Sequence, residues 1–278
     1  MTEISAGKVK ELRELTGLPM MECKKALSET GGDLRKAEEL LRIKSGAKAS
    51  KAAGRIAAEG VIGAWLSADG KVGALVELNC ETDFVAKNDD FVGFAKSLAE
   101  IVATRNPKDV QELSSFDLRG AKVEQMRQAL IQKISENISI RRFRRMKAVG
   151  NLALYLHGTK IGVLVDFEGP DEVGKDLAMH VAFHKPAHLT KKDVPAGIVT
   201  RERDIQIARA RESGKPAEIA AKMVEGAVNK FLGEITLLGQ PFIKDDKQSI
   251  EKMLAARKAR VNGYAFLVVG EGIAKNVH

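Results

Sequence analysis

The sequence predicts an α+β fold: an N-terminal three-helix bundle, then a duplicated β-β-α-α-β core with antiparallel sheets, with a helical hairpin arm inserted in the second copy. Three observations predict it. Residues 60–107 and 150–186 read as two copies of one unit, the segment before them carries three short runs of helix-spaced apolar residues, and the segment from about 195 to 230 is helical, polar and broken once at its middle. The resulting division is a bundle over 1–44, a basic linker over 45–59, a first unit over 60–148, a second over 149–190 and 231–278, and the arm over 191–230.

In the bundle, Val9, Leu12 and Leu15 sit at helical spacing until Thr16-Gly17-Leu18-Pro19 breaks the run. A second helix runs from Met20 to Leu27 and closes at Glu29-Thr30-Gly31-Gly32. Asp33 then caps a third over 34–43. Such a bundle is near the lower size limit for independent folding, and it resembles the ubiquitin-associated type of three-helix binding domain. Residues 45–59 are basic and Ala-rich without an apolar stripe. They read as a linker with some helical character that leaves the bundle mobile.

The first unit opens with strands at 60–67 and 72–79 around Ala68-Asp69-Gly70, a hairpin signal. Helices at about 90–104 and 121–137 and a strand at 138–146 complete it. The second unit repeats the pattern with strands at 152–157 and 161–168 and a helix at 173–183. A helix at 249–257 and a strand at 263–269 follow only after the arm, whose seam is expected along Ile198, Ile205, Ile219, Met223 and Val228.

The two copies align well: Gly60-Val61-Ile62-Gly63 with Gly150-Asn151-Leu152-Ala153, and Lys71-Val72-Gly73-Ala74-Leu75 with Lys160-Ile161-Gly162-Val163-Leu164. Only the first copy contains the ten residues from Glu81 to Asp90. Shared parts serve the fold, so the unshared part is the better candidate for function. An acidic loop with a central phenylalanine reads as a probe.

The chain has 278 residues, 44% of them hydrophobic, enough for a sizeable core and about two domains. No run has the length of a membrane span and no signal-peptide pattern opens the chain, so a cytoplasmic protein is expected. Cys23 and Cys80 form no CxxC pair and read as reduced structural thiols. A net charge of +8 fits a nucleic-acid surface, or solubility with steering toward an acidic protein. The aromatic content of 5% is too low for a base-stacking platform.

Enzyme constellations are missing. His180 and His184 are four apart on a helix, but no H-E-x-x-H context or further ligand accompanies them, so a structural or surface role is expected. There is no phosphate-binding glycine loop and no nucleophile elbow. Asp89 and Asp90 stand at a helix start, where acids favour the dipole. Arg141-Arg142-Phe143-Arg144-Arg145 argues for nucleic acid, yet alternation along a strand splits its arginines between two faces.

The segment Asn79-Cys-Glu-Thr-Asp-Phe-Val-Ala-Lys-Asn88 resembles that of the bacterial elongation factor Ts family. So do Thr16-Gly-Leu-Pro-Met-Met-Glu-Cys-Lys-Lys-Ala-Leu27, Glu136-Asn-Ile-Ser-Ile-Arg-Arg142, His157-Gly-Thr-Lys-Ile-Gly162, Ala178-Met-His-Val-Ala182, Ser213-Gly-Lys-Pro216 and Gly239-Gln-Pro-Phe242. The resemblance spans essentially the whole length, in order. It implies a non-enzymatic guanine-nucleotide exchange factor in protein synthesis, without cofactor or metal of its own, whose partner is the GTPase elongation factor Tu. By the same resemblance Thr82, Asp83, Phe84 and Val85 approach the partner's Mg²⁺ and phosphate site, with Phe84 as wedge and Asp83 disturbing the metal region. Arg13, Met20, Met21 and His157 match further contacts; helix-start methionines are otherwise core, and His157 is otherwise an ordinary turn residue. The arm is expected to reach the GTPase or a second copy of the chain, which leaves a homodimer open. Family members with an extra C-terminal helical tail suggest a reduced contact here, where the chain ends at Ala274-Lys-Asn-Val-His278. A translation-associated RNA-binding protein is the competing reading, although no direct nucleic-acid contact is expected.

Overall fold

The computed structural model describes residues 4–212 and 214–274. Ser213 of the Ser213-Gly-Lys-Pro216 motif and residues 275–278, where the shortened tail was read, lie outside the described residues.

The bundle is α1 (Ala6–Thr16), α2 (Met20–Glu29) and α3 (Leu34–Ala52). The Ser5 hydroxyl accepts from the Lys8 amide and the Asp33 carboxylate from the Lys36 amide, so two of the three helices start on side-chain caps. Gly17, at φ 66°, ends α1 in the left-handed conformation that glycine adopts without strain. Leu12, Leu18, Cys23, Leu27, Ala37 and Leu41 are buried together as a closed core.

The expected linker is mostly helix. α3 continues to Ala52 and lies against α6 (Val123–Ile134). The Lys48 ammonium donates to the Gln132 carbonyl at 2.8 Å and to the Ser135 hydroxyl at 3.0 Å, the Ser45 hydroxyl bonds Gln132, and Ala49 and Ala52 join the core of the first unit. Alanine is the best helix former, and its small side chain lets two helices approach closely without an apolar stripe. The bundle is therefore docked on the first unit instead of trailing on a mobile tether.

That unit holds β1 (Glu59–Leu66), β2 (Val72–Cys80), α4 (Asp89–Arg105), α5 (Val110–Ser115), a two-residue hairpin of β3 (Asp117–Leu118) and β4 (Ala121–Lys122), then α6 and β5 (Ser139–Lys147). α5 and the small hairpin are additions to the expected pattern. The second unit holds β6 (Asn151–His157), β7 (Ile161–Glu168), α7 (Asp171–His184), the arm helices α8 (Ala196–Glu212) and α9 (Ala217–Ile235), β8 (Pro241–Phe242), β9 (Asp245–Ser249), α10 (Ile250–Ala256) and β10 (Arg260–Val268).

Both sheets are antiparallel with equivalent strand orders, β1-β2-β5 and β6-β7-β10. Each carries its helices on one face and the other sheet on the other, where Ile62, Leu75, Leu152, Leu164 and Leu267 are buried together. This meeting is reciprocal. A Cβ at Gly73 would stand 2.9 Å from Leu164 and 3.1 Å from Leu152; a Cβ at the equivalent Gly162 would stand 2.6 Å from Ile62 and 3.0 Å from Leu75. The Ile62 amide donates to the Thr159 carbonyl and the Leu152 amide to the Gly70 carbonyl, both at 2.8 Å. Lys160 reaches the Gly60 carbonyl, and Lys71 that of Gly150. Each hairpin turn thus grips the opening strand of the other copy.

The arm is the expected antiparallel helix pair, but its seam is different. Ala210, Val224, Val228 and Leu232 are buried, with Val199, Ile207, Ala220 and Phe231 packed beside them. Ile198, Ile205, Ile219 and Met223 are exposed, and of the expected seam only Val228 is buried. Both helices carry two apolar sets, and the one that includes Ile207, Val224, Val228 and Leu232 forms the contact.

Candidate functional site

The insert leaves the sheet at Cys80 and returns through a single 3-10 turn (Val85–Lys87) into α4. Asn88 caps α4, its side chain accepting from the Asp90 and Phe91 amides. Asp89 and Asp90 occupy the first turn as expected. Ala86 is buried under the turn, anchoring its return leg.

The outgoing leg is held by polar groups from distant segments. The Glu136 carboxylate accepts from the Glu81 amide and the Thr82 amide, each at 3.0 Å, and from the Thr82 hydroxyl at 2.6 Å. The Glu81 carboxylate accepts from the Asn137 amide at 2.5 Å and pairs with Arg55 at 3.1 Å. The Arg55 carbonyl in turn accepts from the Asn137 side-chain amide at 2.7 Å. Cys80 donates its thiol to the Thr82 carbonyl at 3.2 Å, and burial pushes that thiol up to about 12, so it stays protonated.

The tip is the opposite in character. Phe84 is 79% exposed, among the most exposed large apolar side chains described, and Asp83 beside it faces solvent. Lys87 donates to the Asp83 carboxylate at 2.9 Å, which holds that carboxyl below the usual range, and its ammonium lies 5.9 Å from the Phe84 ring centre. Thr82 faces inward to Glu136 and Val85 is half-buried, so of the four expected contact residues only Asp83 and Phe84 project freely.

His157 ends β6, exposed, with its Nδ1 3.2 Å from the Tyr155 hydroxyl. The turn after it lies close to the loop base: Lys160 pairs with Glu59 at 2.8 Å, and Glu59 stands opposite Cys80 in the sheet. Arg13, Met20 and Met21 are exposed on the bundle, Met21 at 73%, so the methionines are not core residues. Glu22, next along α2, bonds Gln132, one turn before Glu136. The loop and the start of α2 are thus both tied to the end of α6, and the His157 turn is tied to the start of β1 beside the loop base.

Three of the four arginines of the cluster are engaged within the molecule, and Arg144 is exposed. A bulge between Glu77 and Leu78 breaks the alternation, so Arg141 and Arg142 both reach the buried Glu77, at 2.9 and 2.6 Å. Burial pushes the Glu77 carboxyl up, but the Gly270 amide and the two guanidinium groups outweigh it and leave it below the ordinary range. Arg142 also pairs with Glu271 at 3.0 Å, and Arg145 donates to the Ala103 carbonyl. The strict-alternation expectation was therefore wrong for Arg141 and Arg142.

Sequence reasoning missed Arg55, Glu81 and Glu136 as supports of the loop, and Gln132 as the residue on which the bundle docks. Glu136 was visible only as the first residue of a matching motif. Among the described residues, no cluster of His, Cys, Asp and Glu is placed to hold a metal, and no helix is long and apolar enough to cross a membrane.

Fold and site together define a presenting scaffold: a docked bundle and a twinned α+β core that hold one aromatic tip out on an anchored loop. The family model described as Elongation factor TS matches residues 81–271. Proteins named Elongation factor Ts from Bordetella petrii, an Azoarcus species and Nitrosomonas eutropha are 59%, 60% and 58% identical; the alignments cover 99–100% of this chain and 94% of each relative. The chain belongs to the elongation factor Ts family, and its role is that of a translation elongation factor.

Proposed function

We propose that the protein binds the GDP-bound form of elongation factor Tu in the cytoplasm and promotes exchange of GDP for GTP through the loop tip, without covalent chemistry. The observation that carries this is the contrast within the insert: a base fixed by part-buried, charged hydrogen bonds, and a tip that leaves a phenylalanine in water. Burying such a ring in a partner's apolar crevice yields about 2–3 kcal/mol, enough to support a local displacement in the partner. Nucleotide affinity in a GTPase rests on Mg²⁺ and a backbone cradle around the phosphates. A wedge by Phe84, with the Asp83 carboxylate beside it, weakens GDP by shifting those elements. Linkage makes the effect mutual: the factor weakens GDP and GDP weakens the factor by the same ratio, so incoming GTP drives release and sets the direction.

Arg13, Met20, Met21 and His157 complete the contact surface in this reading, and the arm supplies a contact away from the nucleotide. The internal pairing of Arg141, Arg142 and Arg145 favours a protein partner over RNA. The test is release of labelled GDP from purified elongation factor Tu by wild type, Phe84→Ala and Asp83→Ala. Slower release is expected from both variants, by about 100-fold for Phe84→Ala if the ring's burial is lost. Wild-type rates from both would overturn the proposal. Under the RNA alternative, affinity for RNA would fall steeply with salt; none is expected even at low ionic strength.

A further inference from the structure

The loop tip can act as a wedge only if its two ends are held: buried Ala86 anchors the return leg, and one side chain outside the insert holds the outgoing leg. We propose that Glu136 is the positioning residue of the exchange loop, a role that rests on the exchange reading above. Ser135, at φ 70°, closes α6 in the left-handed conformation, and the chain reverses so that Glu136 lies beneath the insert. Its Oε2 takes two successive backbone amides, those of Glu81 and Thr82, and its Oε1 takes the Thr82 hydroxyl. Consecutive amides converging on one oxygen form an anion-binding nest, and here the protein supplies its own anion.

Thr82 passes the constraint onward. Its hydroxyl also accepts from the Val85 amide at 3.4 Å, and its carbonyl accepts from the Ala86 amide at 3.3 Å and from the Cys80 thiol. Asp83 and Phe84 are therefore strung between Thr82, which Glu136 holds directly, and Val85 and Ala86, whose amides bond Thr82. The Thr82 hydroxyl, engaged on both sides, serves the loop's shape and not the partner directly. Without Glu136, two amides and a hydroxyl lose a charged acceptor and the tip samples positions that do not enter the partner's crevice.

The experiment uses the full chain with Glu136→Ala, Glu136→Gln and Thr82→Val, beside wild type and Phe84→Ala. Release of labelled GDP from elongation factor Tu is measured against factor concentration, and amide hydrogen exchange is followed in the free protein. For Glu136→Ala the maximal release rate is expected to fall about tenfold. The half-saturating concentration should move by less, because the rest of the contact surface is unaltered. Glu136→Gln should lie between, since its single carbonyl oxygen keeps one acceptor while its NH₂ opposes a donor. Protection of the Glu81 and Thr82 amides should drop in the same order. Should Glu136→Ala fail to fold, Glu136→Gln carries the amide-protection test, and Thr82→Val carries the rate test by removing the hydroxyl's two hydrogen bonds, to Glu136 and from the Val85 amide, while the carboxylate keeps both backbone amides. Unchanged amide protection, or an unchanged maximal rate while Phe84→Ala is slow, overturns the role of Glu136. A Phe84→Ala variant as fast as wild type overturns the exchange reading instead, and the amide protection still decides the clamp.

Discussion

His180 makes stability depend on acid in a calculable way. It is fully buried on α7, stacked on His184 with ring centres 4.4 Å apart. Its Nδ1 accepts from the Ile243 amide at 3.3 Å, so the neutral ring carries its proton on Nε2 and donates it to the Gln240 carbonyl oxygen at 3.0 Å. A second proton would face the Ile243 amide donor to donor and place a charge in the core. Burial accordingly brings His180 from its ordinary 6.5 down to about 4. Above pH 6.5 both folded and unfolded chains hold the ring neutral and the fold keeps its full stability. As pH falls toward 4 the unfolded chain takes up a proton that the folded chain refuses, and stability is lost through that window. The gap corresponds to roughly 3 kcal/mol. Urea unfolding followed by circular dichroism between pH 7.5 and 4, on wild type and His180→Gln, isolates it. Carboxylates away from the site titrate in both proteins and cancel in the difference, and a parallel pair in the His184→Gln background removes the contribution of the stacked His184. The wild type should lose about 3 kcal/mol more than the variant across the window. Parallel curves would refute the argument.

Two further substitutions probe the frame around the site. Gly162→Ala places a methyl 2.6 Å from Ile62 and should cost about 1–3 kcal/mol, read as a fall of several degrees in Tm. Ile62→Ala, which removes the Cγ2 atom that the new methyl meets, should cost less in the Gly162→Ala background than in wild type, because the two changes share one space. Glu77→Gln leaves Arg141 and Arg142 without their buried counter-charge and should cost roughly 3 kcal/mol. It also weakens the anchor of the Gly270 amide, so limited proteolysis should cut sooner after β10.

Much of the frame was legible because half-buried strands and helices write their period into the sequence. The duplicated hairpins emerged from Lys71 and Lys160 onward, and the insert was visible because the copies disagree there. What stayed hidden depends on approach distance or on pairings far along the chain. The second half of α3 uses Ala49 and Ala52, which leave no stripe. The arm has two apolar faces, and helical spacing alone does not say whether Ile198, Ile205 and Ile219 or Ile207, Val224 and Leu232 meet the other helix. One bulge placed Arg141 and Arg142 on the same carboxylate against the simple alternation rule. Glu136 meets Thr82 across 54 positions of sequence, a contact that no local pattern records.

The reciprocal grip of the two hairpins has a historical reading. Gly73 receives Leu164 and Leu152 while Gly162 receives Leu75 and Ile62, and each turn carbonyl serves the other copy's strand. Contacts that return themselves when the partners are exchanged are the mark of an isologous interface, the kind that closes a two-fold homodimer. The present chain has the form of such a dimer joined end to end. Within one chain the halves need not match beyond that seam: one has the longer step from second strand to first helix, the other from first helix to second, and the symmetry is confined to the shared contact.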